Sequence, residues 1–114
     1  MQELIERLRQ FRDDRNWSQF HTPKDLAISV SVEAGELLEL FQWQPQTAEP
    51  GPETTAKIAS EAADVLLYLL LLTDRVGVDL MAAAQAKIDL NEKRFPIQSS
   101  YGVAKQDDLG ETAN

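Results

Sequence analysis

Apolar side chains recur along this chain at helical spacing, interrupted by short polar or proline-bearing breaks. Leu4, Ile5, Leu8 and Phe11 fall on one side of a predicted first helix from about Gln2 to Arg15. Asn16-Trp17-Ser18-Gln19-Phe20 breaks that pattern. Thr22-Pro23-Lys24-Asp25 then reads as a helix start, with a threonine cap, proline at the first helical position and an acid three residues on. Asp25 is a weaker variant of the Glu or Gln that completes a capping box. The second helix is expected from Pro23 to about Gln42. The stretch from Gln44 to Pro52 holds Pro45, Pro50 and Pro52, which excludes a helix there. A third helix is expected from Thr54 or Thr55 to about Val76, with Gly77 as its left-handed stop. Asp79 caps a fourth that ends by Phe95, before Pro96. From Ile97 to Asn114 the sequence is mostly polar and shows no period. The pattern predicts an all-α protein, a four-helix bundle over residues 1–96 followed by a polar tail over 97–114.

The third helix changes that picture. Val65 to Leu72 is apolar all the way round. A helix on the surface of a monomeric bundle keeps a polar stripe, whereas one apolar on every side is buried on every side. Four short helices from one chain can hardly cover it fully, so a homo-oligomer is expected; the alternative is that the first helix and the tail wrap it. The same run is eight residues long, while a membrane span needs roughly 20. Met1-Gln2-Glu3-Leu4 also lacks the basic and apolar stretches of a signal peptide. No membrane association and a cytoplasmic location are the expectations.

The 114 residues fit one domain, and the 43% hydrophobic content suffices for a core. Without cysteine, disulfides and thiolate metal sites are ruled out. A net charge of −8 argues against binding nucleic-acid polymers, which rests on a basic surface.

Within this acidic chain two clusters stand out, Glu33-Ala34-Gly35-Glu36 and Glu61-Ala62-Ala63-Asp64. In each, two acids stand at i and i+3, one turn apart on the same helical face. Antiparallel packing of the second and third helices turns the pairs toward each other, and the proline-rich loop permits it. Like charges a turn apart repel by a few tenths of a kcal/mol, and Lys57 is the one basic residue within four positions of either pair. Glu39, by contrast, fits an ordinary solvated face. Gly35 inside a helix costs about 1 kcal/mol relative to alanine, which suggests a close approach to the backbone there. Four convergent carboxylates form a hard-oxygen cage of the kind Mg²⁺ uses to bridge protein acids and substrate phosphates. A di-iron bundle needs Glu-x-x-His on two helices, and the single histidine, His21, lies outside both clusters.

Phe20-His21-Thr22-Pro23-Lys24, the run from Glu33 to Trp43, Glu61 to Leu69, Val78-Asp79-Leu80 and Lys87 to Pro96 together resemble the MazG-like all-α nucleoside triphosphate pyrophosphohydrolases, in their dCTP pyrophosphatase-like group. The resemblance covers about Trp17 to Pro96. It includes the family's metal signature, E-x-x-E followed about 25 residues later by E-x-x-D. It implies a bundle assembling as a homodimer or homotetramer, with Glu33, Glu36, Glu61 and Asp64 holding Mg²⁺. It implies that Trp17 and Trp43 line a base pocket, and that Lys87, Asn91 and Arg94 face the triphosphate. The sequence departs from the family pattern at Asp25, where asparagine is usual, and at Leu8, where the dCTP enzymes carry histidine.

Single residues add detail. An indole is a stacking platform worth about 1–3 kcal/mol per base. Lys87, Asn91 and Arg94 share one stripe of the fourth helix at i, i+4 and i+7. His21 is placed for packing or for contacting substrate, and Tyr68 for the core or for a hydrogen bond to a metal ligand. The expected activity is Mg²⁺-dependent cleavage of a nucleoside triphosphate, dCTP or a modified nucleotide among them, to the monophosphate and pyrophosphate. Glu36, with Glu33, is the expected catalytic carboxylate. The competing reading is a helical oligomer that binds a nucleotide or a partner without chemistry.

Overall fold

The computed structural model describes residues 1–104. All regular structure among them is helical: α1 (Gln2–Asp14), α2 (Pro23–Glu39), α3 (Pro52–Arg75), α4 (Leu80–Arg94) and the single turn α5 (Ile97–Ser100), with a 3-10 turn at Trp17–Phe20 between α1 and α2. The all-α class expected from the periodicity is what the chain adopts. No helix of the described residues is long and apolar enough to cross a membrane.

Local chemistry sets the boundaries. Asn16 takes the left-handed conformation, φ 54°, which asparagine tolerates better than most residues, and so turns the chain out of α1. Thr22 caps α2 by accepting a hydrogen bond at Oγ1 from the Asp25 N–H, 3.1 Å. Gly77, at φ 75°, ends α3 in a Schellman motif. Its N–H donates to the Asp74 carbonyl and the Val78 N–H to that of Thr73.

Two boundaries differ from the sequence reading. α2 stops at Glu39 rather than Gln42 because Leu40, Phe41 and Gln42 donate to carbonyls three residues back, a tightening common at helix ends. α3 starts at Pro52, earlier than Thr54, with Gly51 as its cap. The missing N–H of a proline costs nothing at the first helical position, so this third proline opens a helix instead of excluding one. The segment after Pro96 is also more ordered than its lack of periodicity suggests: the Pro96 carbonyl accepts from the Ser99 and Ser100 N–H groups and closes α5.

The chain divides into two compact units, Met1–Asp79 and Leu80–Asn114. In the first, α2 and α3 form the main helix pair. Glu33 lies beside Asp64 while Glu36 lies beside Glu61, so the two helices run antiparallel. The same register brings Leu26 level with Leu70 and Leu71, the buried hydrophobic side chains of the unit. α1 joins through Arg9 and Arg12, which pair with Asp74 near the end of α3. Phe11 meets Trp17 edge-on, with ring centroids 5.6 Å apart. Arg15 covers the Phe11 ring at 3.8 Å.

In the second unit α4 carries Lys87, Asn91 and Arg94, with the Arg94 guanidinium 5.1 Å from the Phe95 ring centroid. The close approach expected at Gly35 is absent among the described residues: a Cβ there meets nothing within 4 Å. Gly35 instead borders an open groove.

Candidate functional site

The antiparallel register gathers the acids. Glu33 from α2 and Glu61 and Asp64 from α3 each present a carboxylate oxygen, and these oxygens lie within 4.8 Å of one another. All three side chains are half-buried. The Glu61 Oε1 is buried without a hydrogen-bond partner among the described residues. A buried acceptor left in that state costs free energy unless something pairs with it.

The electrostatics agree with the geometry. Desolvation, then the negative charges of Glu36, Asp64 and Glu61, push the Glu33 carboxyl above its ordinary range. Desolvation, then Glu36 and Asp64, does the same to Glu61. Among the described residues, the causes acting on either include no cation. Hard oxygen donors held together against their own repulsion fit a divalent ion, and the unpartnered Glu61 oxygen gives such an ion a ligand.

Glu36 is placed differently from the other three. It is exposed and stands outside the triad, close enough to Glu61 to hydrogen-bond its protonated form. With Val32, Gly35, Glu39, Leu40 and Glu61 it lines an open groove of about 480 Å³. Glu39, expected on a solvated face, is exposed on the rim of that groove.

Asp64 borders a second cavity. It lines a pocket of about 280 Å³ with Leu8, Phe11 and Arg12 of α1, Trp17, His21, and Leu67, Tyr68 and Leu71 of α3. The walls are mostly apolar and aromatic, with few polar groups, the usual make-up of a small-molecule site. The His21 Nδ1 in this wall is buried and unpartnered. Burial, followed by the nearby Arg12 charge, lowers the His21 pKa, which favours neutral imidazole.

The structure therefore brings Trp17 and His21 to the same pocket as Asp64. It does not bring Trp43 there. Trp43 stands in the turn after α2, is 86% exposed, and is not among the pocket's walls. Lys87 is exposed on α4, and Asn91 Oδ1 is buried without a partner among the described residues. Of the α1 wall, sequence reasoning singled out Leu8 as a departure from the family pattern and missed Phe11 and Arg12. Helical spacing relates residues within one element, and the one usable sign was the unmatched acid Asp74 near the end of an apolar helix.

The MazG-like family model matches residues 28–108. The chain is 43% identical over 100 residues to dCTP pyrophosphatase 1 of Bos taurus, covering 83% of this chain and 59% of that relative. It is 44% identical over 100 residues to dCTP pyrophosphatase 1 of Mus musculus, covering 83% and 58%. The chain thus spans under two thirds of the length of these curated relatives. Among solved structures, a pyrophosphatase from Archaeoglobus fulgidus is similar with a TM-score of 0.77 and 43% identity, covering 84% of this chain and 92% of that one. A family match over most of the chain, together with this shared fold, shows that the chain belongs to the MazG-like family.

Proposed function

We propose that the protein is a Mg²⁺-dependent nucleoside triphosphate pyrophosphohydrolase that releases pyrophosphate and a nucleoside monophosphate. The observation that carries this reading is the triad of Glu33, Glu61 and Asp64, packed within 4.8 Å and sharing Asp64 with an aromatic pocket. Relatives named as dCTP pyrophosphatases support dCTP as a substrate, and the reading extends to other (d)NTPs or modified nucleotides and to a role in clearing the nucleotide pool.

The residues divide the work. Glu33, Glu61 and Asp64, with Glu36 beside them, would hold Mg²⁺, whose oxygen-only preference the donor set meets. Bound there, the ion would neutralise phosphate oxygens and stabilise the charge that builds on them. Glu36, exposed on the open groove, is suited to take a proton from water. The water oxygen forms a bond to the α-phosphorus and stays on the monophosphate, while the bond from the α-phosphorus to the α–β bridging oxygen breaks and pyrophosphate departs with the bridging oxygen. Glu33 assists by keeping negative charge around this carboxylate. Trp17 and His21 take the base in the pocket; Trp43, outside that pocket within one chain, would reach a base only across a contact between copies. Lys87, Asn91 and Arg94, on one stripe of α4, serve the triphosphate.

A homodimer or homotetramer is part of the same reading. Among the described residues the buried hydrophobic side chains are Leu26, Leu70 and Leu71, while Leu38 and Trp43 of the first unit are mostly exposed. Such open apolar surface supports a contact between copies.

Incubating the protein with Mg²⁺ and a panel of triphosphates should release pyrophosphate. Asp64→Asn should remain folded by circular dichroism yet lose turnover by about a hundredfold or more. Near-normal turnover by that variant would count against the assignment, and nucleotide binding without product would favour a non-catalytic binding protein.

A further inference from the structure

The aromatic pocket has two unlike ends. Asp64 stands at one, beside the other acids; Arg12 belongs to the other, where it is tied to Asp74. Asp64 and Asp74 are ten residues apart on the continuous helix α3, about 15 Å along its axis. A phosphate drawn to the acid end by a cation therefore leaves the rest of a nucleotide pointing toward the guanidinium.

Arg12 is held as a reading head is held. Its side chain is 16% exposed. Nε donates to Asp13 at 2.8 Å and Nη1 to Asp74 Oδ2 at 3.1 Å. Asp74 is fixed in turn from its other oxygen by Arg9, at 2.6 Å. Among the described residues Nη2 of Arg12 has no hydrogen-bond partner, and the side chain that carries it lines the pocket. Away from Asp64 and Tyr68, the wall adds the His21 Nδ1, buried without a partner among the described residues. A mostly apolar cavity of about 280 Å³ with the Arg12 side chain and an unpartnered imidazole nitrogen in its wall suits a ligand that pairs with them.

We propose that Arg12, aimed by Asp74, determines which base the pocket accepts, by donating from Nη2 to an exocyclic carbonyl oxygen of the base. A guanidinium has donors and no acceptor. It pairs with the exocyclic carbonyl oxygens of cytosine, thymine, uracil and guanine, whereas adenine carries none and accepts only at ring nitrogens. The pocket is thereby set against adenine. Asp74 is a positioning residue in this scheme, since it touches Arg12 and not the ligand. The inference rests on reading the pocket as the base site of the proposed enzyme.

Calorimetric titration of the full chain with dCMP, dTMP and dAMP in the presence of Mg²⁺ tests it without requiring turnover. Wild type should bind dCMP and dTMP at least tenfold more tightly than dAMP, the size expected of a charge-assisted hydrogen bond. Arg12→Met should bring the three within about threefold of one another. Asp74→Asn should shrink the preference less, because the guanidinium keeps its charge and loses its aim. A purely structural role for Arg12 would weaken all three ligands equally, and that result overturns the proposal. So does a wild type without preference, or one that binds none of the three. Should Arg12→Met fail to fold by circular dichroism, Arg12→Lys and Asp74→Asn carry the test, and an unchanged preference in both overturns it. A parallel pyrophosphate assay separates the two ideas. Base-selective binding without pyrophosphate sinks the reaction and keeps Arg12, while pyrophosphate release with Arg12-independent selection does the reverse.

Discussion

Two groups of carboxylates on the same helix have opposite fates. Near the middle of α3, Glu61 and Asp64 face Glu33 and Glu36, and burial plus mutual repulsion raises the pKa of Glu33 and Glu61. Near its end, Asp74 accepts from Arg9 and Arg12, and its pKa falls, chiefly through the Arg9 hydrogen bond. The residue types and the helix are the same; what differs is the facing element. α2 offers glutamates and α1 offers arginines. A carboxylate supplied with cations from its own chain is part of the scaffold. A set denied them is kept at a cost in stability, and such a cost is typical of a site that takes its cation from solution.

That contrast can be broken most sharply at Glu61. Glu61→Gln should reduce pyrophosphate release by about a hundredfold or more and at the same time raise the melting temperature of the Mg²⁺-free protein, because a repelling charge is gone. Adding Mg²⁺ should raise the melting temperature of wild type, by linkage worth about 2.7 kcal/mol at a hundredfold excess over Kd, and should move the variant much less. A Glu61→Gln protein that is both active and destabilised would place this residue with Asp74 in the scaffold.

The converse experiment has a smaller effect. Asp74→Ala takes away the acceptor that Arg9 and Arg12 share and leaves Arg12 its bond to Asp13. Because Arg9 is 43% exposed, the loss of stability should fall well short of that for a fully buried pair. Urea unfolding monitored by circular dichroism reads it directly. The loss should persist in EDTA, since no metal is involved.

The smallest effect is the dependence of stability on pH, where the two groups act with opposite sign. The contribution from Asp74, whose folded pKa is depressed, is present above its unfolded pKa and lost as pH falls through the folded one. The contribution from Glu33 and Glu61, whose folded pKa values are raised, is present below their unfolded values and lost as pH rises through the folded ones. Metal-free protein should therefore gain stability on mild acidification from neutral and lose it again at lower pH. Glu61→Gln should flatten the first limb and Asp74→Asn the second. A monotonic profile with both limbs unaffected would contradict the assigned shifts.

Much of this was legible in the residues. The helices, the Thr22 cap and the Gly77 stop follow from rules that act over four or five residues, which is the range over which a sequence is read directly. The paired spacing at Glu33/Glu36 and Glu61/Asp64 likewise announces a one-sided acidic face. Harder to see was that Pro52 starts a helix, since proline breaks a helix everywhere except at its first turn. The Pro96 to Ser100 turn was also hidden, because four residues are too few to show a period.

What the sequence by itself determined is which residues share a helix face, and hence that four acids lie on two faces. Tertiary structure decided which of them meet: the register of α2 on α3 places Glu33, Glu61 and Asp64 within 4.8 Å and leaves Glu36 at the groove. It also decided that Arg9 and Arg12 reach Asp74, more than sixty positions away, and that Leu8, Phe11 and Arg12 complete a pocket with Asp64. The reason is the range of the forces. Backbone hydrogen bonding and capping are set by near neighbours in the chain, whereas repulsion, ion pairing and cavity shape depend on distances that exist only once the helices have packed.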